Sequence, residues 1–106
     1  MKAHPLTTAA FVFLLGAGIP AIAHAGSGTS AGCVDWRSEA VFNGSGYNHL
    51  VHLASRCDKR MTCEVSSDVN PALTEVVLAP GKSQVVNTFL GSPSSEFTPK
   101  VVCRQK

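Results

Sequence analysis

From residue 33 onward, apolar and polar side chains alternate one by one, the period of a strand with one buried face and not the 3.6 of a helix. In VDWRSEAVF, Val34, Trp36, Ala40 and Phe42 share one face, with Asp35, Arg37 and Glu39 on the other. Asn43-Gly44-Ser45-Gly46 follows, and Asn-Gly between alternating segments is a strong short-range hairpin signal. The next strand, from Tyr47 to Cys57, sets Tyr47, His49, Val51, Leu53 and Cys57 against Asn48, Leu50, His52, Ala54 and Arg56. The charged stretch from Asp58 to Thr62 predicts a tight turn. Beyond it, Cys63, Val65, Ser67 and Val69 form one face of a third strand, which Asn70-Pro71 breaks.

LTEVVLA and SQVVNTFL are two more β-branched runs, ended by Pro80-Gly81 and by GSPSSE. Phe97 to Cys103 closes the series. Pro99 has no N–H for a ladder, so that strand lies on an edge or begins after the proline. About six short strands divided by turn signals predict an all-β fold, a small antiparallel β-sandwich of immunoglobulin-like type. Trp36, in register with Val34 and Phe42, is assigned to its core. No stretch carries a long amphipathic helix pattern, and there are no internal repeats.

The first residues follow a different rule. Lys2 and His4 precede AAFVFLLGAGIPAIA, an apolar run interrupted by Gly16, Gly18 and Pro20 and followed by Ala23-His24-Ala25. That is the layout of a secretory signal peptide over residues 1–25, cleaved after Ala25 or, second, after Ala23. A spanning helix needs about 20 apolar residues without such breaks, so no membrane insertion is expected after cleavage. Residues 26–32 read as a Gly/Ser-rich lead-in and 33–106 as a single domain. Ala31-Gly32-Cys33 resembles the end of a lipoprotein box. The box wants Leu where Ser30 stands, and GSGTS separates it from the apolar run.

Export explains the cysteines. A chain this short builds a limited core, and small secreted domains commonly add covalent cross-links. All four cysteines lie beyond the leader. With Lys59-Arg60-Met61 as a three-residue hairpin loop, Cys57 stands opposite Cys63, leaving Cys33 to pair with Cys103. The short loop then stabilises by about 2 kcal/mol and the long one by about 4 kcal/mol on the chain-entropy model. Four cysteines allow three pairings, and spacing does not choose among them.

The competing chemistry is a metal site from His49, His52, Cys57 and Cys63. Zinc ribbons place their cysteines two to four residues apart, and this gap is wider. On a strand, His49 and His52 point to opposite sides. No metal and no cofactor are therefore expected, although a metal-binding protein using His49 or His52 stays as a third reading.

Nine Lys and Arg stand against seven Asp and Glu, with Lys2 in the leader, so the domain is close to neutral. Nothing in that balance points to nucleic acid. No nucleophile motif surrounds any serine, so no catalytic role is expected. Asn43-Gly44-Ser45 is a formal glycosylation sequon, but the hairpin already accounts for the asparagine. Arg56, Lys59, Arg60 and Met61 form the most distinctive candidate contact surface, and GSPSSE is a second loop of interest.

The first functional expectation is a monomeric, non-catalytic domain, periplasmic or extracellular, that binds a protein or cell-envelope component. The second is an inhibitor of a secreted hydrolase acting through the Cys57–Cys63 loop, with Lys59 or Arg60 entering a basic-specific pocket.

Overall fold

The computed structural model describes residues 26–106. The signal peptide expected over residues 1–25 lies outside them. Seven strands form two antiparallel sheets, and the described residues contain no helix. They are β1 (Ser27–Ser30), β2 (Val34–Phe42), β3 (Tyr47–Ser55), β4 (Met61–Ser67), β5 (Thr74–Leu78), β6 (Ser83–Ser92) and β7 (Pro99–Gln105). The larger sheet runs β1-β2-β3-β6 and the smaller β5-β4-β7.

The alternating faces close on one another as their period requires. Val34, Val51, Leu53 and Val86 from the larger sheet share one apolar core with Met61, Cys63, Val65, Val76 and Leu78 from the smaller. Trp36 and Ala40 pack against it. Phe42 departs from this pattern. It has the right parity but sits at the far end of β2, where it is 60 % exposed and rests on Tyr47.

The β2–β3 hairpin forms where Asn-Gly places it, with Phe42 opposite Tyr47. The Asn43 side-chain oxygen accepts the N–H groups of Ser45 and Gly46, and Gly44 takes a φ of 102°, which a side chain would resist. The Asn43 amide nitrogen donates to Asn48, so the sequon asparagine is used within the turn. At the other end of the chain, Pro99 opens β7, an edge strand.

Three expectations are corrected. The strand count is seven, because Ser27–Ser30 of the lead-in pairs with β2. Two hydroxyls hold this strand in place of apolar side chains. The buried Ser38 hydroxyl accepts the Gly26 N–H at 2.8 Å, and the Ser30 hydroxyl accepts that of Cys103 at 2.9 Å. A Cβ on Gly28 would stand 2.7 Å from the Trp36 indole opposite it, so glycine lets the two approach as closely as they do.

Connectivity is the second correction. β3 and β4 make no hairpin. β3 already has β2 and β6 as neighbours, so the chain after Ser55 crosses to the other sheet. In an immunoglobulin constant domain the second and third strands lie in different sheets, whereas here β2 and β3 pair along their full length.

Third, the disulfides are Cys33–Cys57 and Cys63–Cys103, not Cys57–Cys63 and Cys33–Cys103. Cys63 and Cys103 stand directly opposite each other on β4 and β7. Cys33 comes one residue before the Val34–Ser55 pair that ends the β2–β3 ladder, and its carbonyl accepts the Arg56 N–H. Cys57 is therefore the cysteine within its reach. All four sulfurs are bonded, including that of Cys33.

Candidate functional site

Register in the larger sheet brings together side chains far apart in sequence. On the face turned from the core, Ser27, Arg37, His52 and Val85 stand in one row across β1, β2, β3 and β6. Thr29, Asp35, Ala54 and Ser83 form the next row. These residues line a shallow depression of about 820 Å³, within the size range of small-ligand sites.

Most of the charge there is internally matched. Arg56 grips Asp35 with two hydrogen bonds, Nε to Oδ2 at 2.7 Å and Nη2 to Oδ1 at 2.9 Å. Thr29 donates to the same carboxylate at 3.2 Å. The hydrogen bond from Arg56 holds the Asp35 carboxyl below the usual aspartate value, and Asp35 raises Arg56 in return. His52 Nε2 lies 2.8 Å from Glu39 Oε1. Arg37 is different, being exposed and without an ion pair or side-chain hydrogen bond among the described residues. It is the one guanidinium there without a partner among the described residues, and it lies beside a histidine, several hydroxyls and a valine.

The contact cluster expected from the sequence does not assemble as a unit. Arg56 is drawn onto the sheet by Asp35. Met61 is corrected outright. It is the first residue of β4, 5 % exposed and part of the core. Lys59 and Arg60 are exposed on the crossover between the sheets. Their loop is not closed on itself, but its flanks are anchored separately, Cys57 to Cys33 and Cys63 to Cys103. The Arg60 carbonyl also accepts the Lys106 N–H at 3.1 Å.

The two histidines lie on opposite faces, as strand geometry requires. His49 is fully buried, stacked on Phe97 with ring centroids 4.2 Å apart, and its Nε2 donates to the Ser94 carbonyl at 2.7 Å. Its Nδ1 is buried with no partner. This contact ties the GSPSSE loop to β3. Among the described residues, no three His, Cys, Asp or Glu side chains come together to hold a metal ion.

Sequence reasoning placed Asp35, Arg37 and Glu39 on the outer face of one strand. It missed the site because the partners come from β1, β3 and β6, and pairing order is not a local property. The usable signal was the polar outer parity of β2 combined with that of the histidine-bearing strand. No protein-family model matches the chain, and neither a curated protein nor a solved structure is significantly similar to it.

Proposed function

We propose that the chain is a small exported β-sandwich, periplasmic or extracellular, that binds an anionic partner without catalysis on the outer face of its larger sheet. The observation that carries this reading is the unpaired Arg37 guanidinium in a depression whose one lining carboxylate, Asp35, is already held by Arg56. A guanidinium is suited to carboxylate or sulfate groups because it presents a planar fork of donors. Thr29, Ser27 and Ser83 add hydroxyls of the kind that meet a polyhydroxylated chain. Acidic cell-envelope or extracellular polysaccharide fits both features. The two disulfides support an oxidising compartment outside the cytoplasm.

The test is titration of the oxidised protein with polygalacturonate and heparin, with neutral dextran as control. Arg37→Ala is expected to lower polyanion affinity about tenfold or more, the value of a charged hydrogen bond. Lys59→Ala with Arg60→Ala should leave it nearly unchanged. Failure to bind any polyanion, or equal binding by the Arg37 variant, overturns the proposal.

A second reading is favoured by the Asp58–Arg60 crossover. Anchoring at both flanks lowers the ordering cost of binding, and Lys59 and Arg60 are exposed there. Inhibition of a trypsin-like secreted protease that disappears with Lys59→Ala and Arg60→Ala would move the function to this loop. The third reading, a metal site using His49 or His52, has no supporting arrangement among the described residues.

A further inference from the structure

The four sheet edges are protected unequally. β1 has four residues and β5 five, and short edges offer little to a pairing chain. β7 carries Pro99, Lys100 and Arg104, and the Ser30 hydroxyl already takes the Cys103 N–H. β6 is the longest strand, with ten residues, and SQVVNTFLGS contains no charge and no proline.

Half of that edge is nevertheless blunted. Register shifts accompany the pairing of Tyr47, His49 and Leu50 with β6, and the Asn70 amide donates to the Thr88 carbonyl at 2.7 Å. The other half, Ser83–Asn87, pairs with β3 in unbroken register and has no such cap. At its centre, on the outer face, Val85 is 52 % exposed.

We propose that the Ser83–Asn87 edge of β6 pairs antiparallel with the same segment of a second copy of this chain, about a two-fold axis at Val85. The segment suits its own image. Val85 meets Val85 of the second copy, Ser83 meets Asn87, and no like charges are brought into opposition within the window. Lys82 falls just outside it. An uncharged, self-complementary strand fits a copy of itself better than it fits a charged peptide, and this sets aside the monomer expected from sequence.

Pairing also has a consequence for the outer face. Arg37, His52 and Val85 lie in one register row, so the row continues through the axis to the second Arg37. Five interstrand steps of about 4.8 Å separate the two guanidinium-bearing strands by about 24 Å. The dimer would thus present two matching depressions side by side on one sheet.

A contact limited to one strand edge buries less than the roughly 1,200–2,000 Å² of a stable complex, so a weak, concentration-dependent dimer is expected. Sedimentation of the oxidised protein from about 1 µM to 1 mM, without polyanion, tests the pairing independently of the function proposed above. Val85→Lys sets two lysines directly opposite each other across the axis, with Cβ atoms about 5 Å apart, and should weaken association at least tenfold. Ser83→Lys with Asn87→Lys should weaken it too, and Ser83→Glu with Asn87→Lys should restore or tighten it. Unchanged circular dichroism and thermal unfolding confirm that each variant is folded. A monomer at every concentration overturns the proposal, even if a segment of another protein occupies this edge. So does a dimer indifferent to Val85→Lys.

Discussion

His49 is a fully buried polar side chain held on several sides. It is enclosed by Phe97 and Phe89, and Nε2 must carry the proton because the Ser94 carbonyl can only accept. His49→Ala removes an aromatic stack and a buried hydrogen bond together, and a loss of about 3 kcal/mol or more is expected in guanidinium unfolding. His49→Phe keeps the stack and removes the partnerless Nδ1 while leaving Ser94 unpaired, so its cost should be nearer 1 kcal/mol. Asp35 supplies a pH-dependent counterpart. Its folded value lies below the unfolded one, so its pairing with Arg56 stabilises fully above the ordinary aspartate range. That contribution disappears as pH falls through the depressed folded value. In an NMR titration Asp35 should titrate below the usual aspartate value, and Arg56→Ala should return it toward that value.

β1 shows how a strand forms without apolar side chains. Its sequence, SGTS, has no periodic signal, yet the backbone ladder to β2, the Ser38 and Ser30 hydroxyls and the seat of Trp36 over Gly28 hold it. Gly28→Ala forces the indole or the strand to move. The expected cost is about 1–3 kcal/mol, with a shift in Trp36 fluorescence. The β2–β3 hairpin is the opposite case, since its turn and both faces were readable from a single stretch. Its one surprise is Phe42, which has the buried parity but stands exposed at the end of β2.

The two disulfides span 24 and 40 residues, so each constrains the unfolded chain by about 3–4 kcal/mol on the entropy model. Against a total of about 5–15 kcal/mol for an ordinary domain, either is a large share. Cys63→Ala with Cys103→Ala should lower stability by about that amount or leave the chain unfolded at 37 °C. Mass spectrometry of an unreduced digest should recover peptides joining Cys33 to Cys57 and Cys63 to Cys103. The Cys63–Cys103 bond fastens central strand β4 to β7, while Cys33–Cys57 closes the open end of the β2–β3 ladder beside the outer-face depression. One bond therefore braces the smaller sheet and the other the platform that carries Arg37.

Alternation along VDWRSEAVF and YNHLVHLAS was enough to specify strands, their buried faces and the turn at Asn43-Gly44, because these depend on neighbours two to four residues away. The opposite orientation of His49 and His52 followed from the same rule. Strand order did not follow, and neither did whatever depends on it. Whether Cys57 meets Cys63 or Cys33 turns on where the chain goes after Ser55, and β3 is already paired on both sides. Arg37, His52 and Val85 belong to strands whose adjacency comes from closing one core between two sheets. Local periodicity acts over a few residues, whereas burying apolar faces against each other is a property of the whole chain, and it selected both the sulfur partners and the candidate site.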